Sequence, residues 1–501
     1  MDIAFGAGNL KAFIERQNHN LAIYDENKAD LFLADLGKKA LPADFPLINS
    51  EILNASEDNL ARRLIKAVFS ASPYLTQIIL RSPETLEHCL ASSPEDSLET
   101  FISQLQERVS KASAQSEVMA ALRRFKRDVA LLTGLADLAG IWEVMQTTAA
   151  LTKCADIAVS TCVRYLFDQA AQKGDCFPEK SDEPEVNSGY FVLAMGKHGA
   201  HELNYSSDID LIVFYEPGLL KLKEGLDQKV FFVNITRALV KLMHERTSDG
   251  YVFRTDLRLR PDPGSTQVAI STNAALTYYE SMGQNWERAV FIKARPIAGD
   301  IPAAKDFLKH LSPFIWRKYL DFASIAEVHA MKRQIHAHKG HGKIAVAGHN
   351  IKLGKGGIRE IEFFVQTQQL IAGGRQPELR SSPTLVTMKK LVEKKWVKQD
   401  VADDLTASYL FLRHVEHRLQ MISDEQTHTL PTDKEALKRV AVFSGYENFE
   451  DFSEDLMKHL TSVQSHYAEL FEDMPSLNIN GLDPIKVKDT LVTADVLSRM
   501  G

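Results

Sequence analysis

The chain reads as an α+β protein, a small sheet-bearing segment set between two long helical regions. Three observations predict this. Between residues 189 and 300, short apolar runs of strand length, Tyr190 to Met195 and Ile209 to Tyr215, alternate with glycine and polar turns. On both sides of that segment apolar residues recur at helical spacing. Proline and glycine fall at the ends of the helical runs rather than inside them. The expected division is a helical region over 1–115, a sheet domain with its leading helices over 116–302, and a helical bundle over 303–475. A tail over 476–501 opens a further helix without a closing element, so the chain is expected to be a piece of something longer.

The bulk properties narrow the class. With 501 residues, 25% charged and 45% hydrophobic, the chain suits a soluble globular protein of two to four domains. A net charge of −7 and a pI near 6.2 disfavour a broad nucleic-acid-binding surface. Cys89, Cys154, Cys162 and Cys176 form no CxxC pair and no zinc spacing, which fits reduced thiols in a cytoplasmic protein. The start MDIAFGAGNLKAF lacks the features of a signal peptide, and no apolar run approaches the ~20 residues of a membrane span.

Taken in order, LARRLIKAVFSASPYLTQIIL (60–80) has helical spacing with a break near Ser72 and Pro73, and Pro83 and Pro94 punctuate further helices. SEVMAALRRFKRDVALLTGLADLAG (116–140) is a long amphipathic helix carrying Arg123, Arg124, Lys126 and Arg127. Such a basic run reads as a solvated face. Its alternative is a face for an acidic partner or a nucleotide phosphate. A helix from Ala149 to Ala171 leads to an acidic, proline-bearing linker at 175–189. After the two strands comes a helix from Leu226 to His244. YVFRTDLRLRP (251–261) then alternates as a strand, with Arg254, Asp256, Arg258 and Arg260 on one face. QVAIS (267–271) reads as another short strand, and Asn273 as the cap of the helix holding Tyr278 and Tyr279. The next helix carries Trp286, Glu287, Arg288, Lys293 and Arg295 and stops before Pro296. Beyond Pro302 the chain reads as helical, with a glycine-rich turn at 354–357.

The chemistry concentrates at the start of the second strand. Asp208 and Asp210 share a strand face, with alpha carbons about 6.6 Å apart. Two like charges there are costly unless a cation or hydrogen bonds compensate them. Asp256, on a separate strand, completes a candidate set of three carboxylates. Oxygen-only ligands favour Mg2+ or Mn2+, and three carboxylates on adjacent strands suit displacement at phosphorus. Gly196 and Gly199 allow backbone amides to approach an anion. Ser206 and Ser207 offer hydroxyls for capping or for a phosphate oxygen. Arg254, Arg258 and Arg260 either bind phosphate by forked hydrogen bonds or neutralise nearby acids. Lys197 either meets a phosphate or faces solvent.

LGKGGIREIEFFVQTQQLIAGGR (353–375) is a glycine-rich turn opening a helix, with Arg359, Glu360 and Glu362 in its first turns. It is either a tight interdomain turn with capping acids or a ligand contact. His329, His336, His338, His341 and His349 fit no zinc signature, and a basic helix end facing the cleft is expected instead.

Gly196, Ser207, Asp208, Asp210 and Asp256 resemble the nucleotidyltransferase superfamily of DNA polymerase beta and kanamycin nucleotidyltransferase, which implies a mixed sheet with helices. More narrowly, MGKHGAHELNYSSDIDLI, VFRTDLRLRP, YYESMGQNWERAVFIKAR and GKGGIREIEFFVQ resemble the glutamine synthetase adenylyltransferase/deadenylylase family. The resemblance runs from about Leu122 to beyond Arg375. It implies two modules in the full-length protein, one attaching AMP to a tyrosine of glutamine synthetase and one removing it by phosphorolysis to give ADP. The variants Trp286-Glu287-Arg288, Lys293-Ala294-Arg295 and Ile358-Arg359-Glu360 resemble the adenylyl-removing N-terminal module, so the C-terminal adenylyltransferase module is expected to be absent here.

The resemblance further implies a site of Asp208, Asp210 and Asp256 with Mg2+ (or Mn2+). Gly196, Lys197, Ser206, Ser207, Arg254, Arg258 and Arg260 would meet nucleotide or phosphate, and Arg288, Lys293, Arg359 and Glu360 would reach the cleft. The implied partners are adenylylated glutamine synthetase, the PII signal protein, and ADP, AMP and phosphate. Alternatives are ATP-dependent adenylylation and a non-catalytic docking or sensing module. One departure stands out: the superfamily has Gly-Ser in the first turn, and this chain has Gly196-Lys197.

Overall fold

The computed structural model describes residues 12–317 and 344–472. The expected His329, His336, His338 and His341 and the tail beyond residue 475 lie outside those residues.

The N-terminal region is helical, as its spacing predicts. After α1 (Phe13–Arg16) and α2 (Glu26–Lys39) come α3 (Leu60–Ala71), α4 (Pro73–Arg81), α5 (Pro83–Ala91) and α6 (Pro94–Ser110). Pro73, Pro83 and Pro94 each occupy a first helical turn, where the missing N–H has no partner to lose. Ser72 caps α4 by accepting from Leu75 N at 3.1 Å, which is why the 60–80 run breaks there. The long helices α7 (Gln115–Leu138) and α8 (Val144–Gln172) then lead into the sheet.

The sheet is mixed, in the order β5 (Thr255–Asp256), β3 (Ile209–Tyr215), β2 (Tyr190–Ala194) and β7 (Arg295–Gly299), with β6 (Ile270–Ser271) also on β3. β2 (Tyr190–Ala194) and β3 (Ile209–Tyr215) are antiparallel and buried on both faces, hence their nearly unbroken apolar sequence. Alternate residues feed two cores. Tyr190, Val192, Ile209, Leu211 and Val213 join the large core shared with the flanking helices. Phe191, Leu193, Ile212 and Phe214 pack against α11 (Thr272–Ser281), α12 (Asn285–Phe291) and α13 (Ile301–Ile315). Outside the main sheet, the acidic linker contributes β1 (Cys176–Phe177), which pairs with β4 (Lys221–Leu222). α10 (Gln228–His244) covers the large-core face.

Three sequence expectations are corrected here. The 251–261 stretch is not a period-2 strand: only β5 (Thr255–Asp256) pairs, parallel to β3. The chain turns because the Asp256 carboxylate accepts from the backbone N–H of Arg258 at 2.8 Å, and Arg260 donates back to Leu257 O at 2.9 Å. Ser271, at the end of β6 (Ile270–Ser271), caps α11 in place of Asn273. Finally, α12 ends at Phe291, and Arg295 opens a strand, β7 (Arg295–Gly299), antiparallel to β2. Pro296 is tolerated there because β7 is an edge strand.

The C-terminal region is helical, with α14 (Ile358–Ala372), α15 (Thr384–Glu393), α16 (Gln399–Ser423), α17 (Lys434–Phe443) and α18 (Phe449–Glu472). Its apolar side belongs to the same large core as the N-terminal helices. Among the described residues no helix is long and apolar enough to cross a membrane. All four cysteines are buried and unpaired.

Candidate active site

β3 begins with the pair the sequence singles out. Asp210 and Asp256 are register partners on the parallel strands β3 and β5, so their side chains share one face. Asp208 lies two positions before Asp210 on the same face. The turn after β2 closes over this end: Met195 N donates to Asp210 O at 2.9 Å. Gly196 has φ +54°, and a Cβ there would lie 3.1 Å from Asp210 Oδ2. Gly199 is required for a different reason, since its Cβ would fall 1.8 Å from Lys293 O.

Charge at this end is poorly compensated. Burial pushes the Asp210 carboxyl well above the usual carboxylate range, and the Asp208 and Asp256 carboxylates push it further. Asp208 accepts from Gln426 Nε2 at 2.7 Å. Both Asp256 oxygens accept from the Arg258 guanidinium. Three oxygen donors with excess negative charge suit a hard divalent cation in their chemistry. As they stand, no group of three His, Cys, Asp or Glu side chains among the described residues converges closely enough to hold a metal ion.

The other site expectations fall into three groups. Ser206 and Arg254 hold the loop before β3. Ser206 Oγ donates to Asp424 Oδ1 at 2.8 Å, its N–H to Gln420 at 3.1 Å, and its carbonyl accepts from Arg254. Ser207, its neighbour, is half-buried. Arg258 neutralises Asp256, and Arg260 is used on the carbonyls of Leu257, Pro263 and Thr266 within its own loop. Arg288, Lys293, Arg359 and Glu360 are all buried. Arg288 donates to Ile315 O at 3.2 Å and Asn285 Oδ1 at 2.9 Å. Glu360 accepts from Gly356 N at 2.9 Å, so the glycine-rich turn is closed by a capping acid of α14.

Lys197 is neither at the surface nor free for phosphate. It is buried, and its Nζ donates to both oxygens of Glu416 on α16, at 3.1 and 3.3 Å. Burial pulls its pKa down against the attraction of Glu416. Around this pair a network joins the sheet domain to the helical domain. Lys293 donates to Glu202 at 3.2 Å and lies 3.8 Å from Glu362. Glu202 also accepts from Thr384 N at 2.6 Å. Arg413 donates to Glu202 O at 2.6 Å and lies 3.3 Å from Glu416. Burial alone would raise the Glu362 carboxyl, but Lys293, Lys197 and Arg359 hold it down at about 2.

Lys352, which the sequence reading did not single out, belongs beside the carboxylates. Its residue is 8% exposed, and its ammonium has no hydrogen bond or ion pair among the described residues. Its charge acts on Asp210, lowering the pKa that the other carboxylates raise. The available signal was its place directly before the glycine-rich turn.

A glycine turn over a strand-end pair of aspartates, with a third carboxylate on the parallel neighbour, defines a nucleotidyltransferase. The comparisons agree. A family model described as glutamate-ammonia ligase adenylyltransferase matches residues 62–310, and one described as GlnD PII-uridylyltransferase matches 329–473. A bifunctional glutamine synthetase adenylyltransferase/adenylyl-removing enzyme of Bradyrhizobium sp. is 52% identical over 85% of this chain and 43% of its own length. An enzyme of the same name from Brucella melitensis is 48% identical over 94% of this chain and 48% of its own. The chain belongs to this family of glutamate-ammonia ligase adenylyltransferases, and it spans a little under half the length of these relatives.

Proposed function

We propose that the chain is the adenylyl-removing half of such an enzyme and removes AMP from the adenylyl-tyrosine of glutamine synthetase by phosphorolysis. The observation that carries this is Asp210, a half-buried carboxyl facing two others, with Lys352, which makes no hydrogen bond or ion pair among the described residues, alongside. In the reaction an oxygen of inorganic phosphate attacks the adenylyl phosphorus. The bond from phosphorus to the tyrosine oxygen breaks, the phenolate takes up a proton, and ADP leaves. Asp208, Asp210 and Asp256 would hold Mg2+ or Mn2+, which when bound neutralises charge and acts as a Lewis acid at phosphorus. Lys352 would draw in the anionic phosphate. Phosphate arrives already charged, so no strong base is needed, and Asp256 can remain on Arg258. Lys197, tied to Glu416, holds the turn in place of the superfamily's serine.

The broader proposal is control of nitrogen assimilation in the cytoplasm, with PII as a partner and an adenylyltransferase module in the full-length protein. A second reading, ATP-dependent adenylylation, has the two-part names of the relatives in its favour. One assay separates them. The chain is incubated with adenylylated glutamine synthetase, Mg2+ and phosphate, and ADP is measured. ADP formation is expected; transfer of AMP from ATP to the unmodified synthetase, without ADP release, would overturn the first reading in favour of the second.

A further inference from the structure

A cavity of about 570 Å³ lies between α4, α7, the 246–254 segment and the end of α16. None of the strand-end carboxylates lines it, but it adjoins them: Gln426, in its wall, donates to Asp208 at 2.7 Å. Its wall includes most of the basic run of α7 that the sequence leaves between a solvated face and an anion site. Six cations line it against three acids, Asp249, Asp424 and Glu425.

The cations are not equally committed. Arg123 is fully occupied as a structural clamp, donating to carbonyls of Met119, Leu242, Glu245 and Gly250. Arg81 is paired with Asp249. Lys126 is shared between Tyr74 Oη at 3.1 Å and Asp424 at 3.2 Å. Three guanidiniums remain. Arg127 Nε lies 3.8 Å from Asp128 Oδ1, an ion pair too long for a hydrogen bond. Arg254 donates to the Ser206 carbonyl, has no carboxylate among the described residues, and also has an orphaned buried Nε. Arg246 has no acid among the described residues and rests 5.9 Å from the centre of the Tyr251 ring. Lys126 and Arg254 lie over the same ring, at 5.6 and 5.7 Å. Tyr251 thus gathers three cations from two segments on one aromatic platform.

Buried guanidine N–H groups without partners are costly, and guanidinium forks match phosphate oxygens. The volume is that of a small-molecule site. We propose that this cavity is a second anion site, next to the strand-end carboxylates, which takes the phosphate of a small metabolite. The shared chemistry is phosphate, carried either free or on a nucleotide.

The test is calorimetric titration of the full chain with inorganic phosphate, at low ionic strength, without substrate. It compares the wild type with Lys352→Met and with Arg127→Ala/Arg246→Ala. The expected result is a phosphate-binding event that survives in Lys352→Met and weakens at least about tenfold in the double arginine variant, as the loss of charge-assisted contacts requires. ADP is the second titrant: displacement of phosphate by ADP from this site assigns nucleotide phosphate, and binding that ADP leaves undisturbed assigns free phosphate. Either result supports the proposal. Phosphate affinity unchanged in the double variant, or no binding at all in the wild type, overturns it. If melting curves show the double variant unfolded, Arg246→Ala alone carries the test, since that side chain is exposed and meets only the Tyr251 ring. The binding readout is independent of catalysis, so a failure of the phosphorolysis reading would leave it intact.

Discussion

Two clusters of charge stand at the two ends of one loop, and they differ in how that charge is balanced. At Lys197 each ion has a counter-ion: Glu416 answers Lys197 and Arg413, and Glu362 and Glu202 answer Lys293. At Asp210 like faces like, and burial together with the Asp208 and Asp256 carboxylates raises the carboxyl's pKa. Buried charge that is paired within the chain joins domains. Like charge gathered at a strand end is the arrangement that a site for an arriving cation would show. The same chemical ingredients thus serve architecture in one place and chemistry a few residues away.

This contrast can be broken at either end. The largest effect is expected from Asp210→Asn, which should cut ADP release about a thousandfold, the scale of losing a preorganised electrostatic contact at a reacting centre. Its melting temperature in EDTA should rise, because a repulsive contact is gone. Retained activity would put the chemistry elsewhere. Glu416→Gln should act in the opposite sense. It strands Lys197 and Arg413 in the interior and should cost about 3–5 kcal/mol in urea unfolding, as breaking a buried pair does. Lys197→Met combined with Glu416→Gln should recover part of that loss. If the double variant were worse than the sum of the singles, the pair would not be the unit of stability.

Lys352→Met should raise the KM for phosphate about ten- to hundredfold, the value of one charge-assisted contact. Stability should fall only slightly, since the ammonium makes no hydrogen bond or ion pair among the described residues and loses only its longer-range attraction to Glu362 and Asp210. A large stability loss with unchanged KM would move Lys352 to the structural cluster.

The smallest effect is a pH slope. The Asp210 carboxyl is raised on folding, so its contribution to stability is present below the unfolded carboxylate pKa and is lost as pH rises through the folded value. Metal-free protein should lose up to about 1.4 kcal/mol per pH unit across that window, one proton's worth. The slope should flatten in Asp210→Asn. A slope identical in both proteins would assign it to another group.

The sequence made the strands β2 and β3 legible because they are apolar on both faces, and the aspartates legible because polar residues interrupt such runs only for a reason. The placement of Asp256 beside them came from reading 251–261 as one alternating strand, of which only Thr255–Asp256 pairs with β3. The strand drawn through Arg260 did not hold, since the alternation of Arg and Leu there comes from a turn in which the arginines grip nearby carbonyls. β7 was hidden by its proline. Lys197 could not be read locally, because its counter-ion stands 219 positions away. Lys352 was passed over because the chain around it looks like an ordinary turn, and only its proximity to Asp210 gives it meaning.

That distance between Lys197 and Glu416 also sets an order of events during synthesis. Contacts so far apart in sequence are late ones. The glycine turn emerges from the ribosome long before α16, and at ~5–20 residues per second the wait for Glu416 is about 10–40 s. Until then the turn lacks the counter-charge that locks it to the helical bundle.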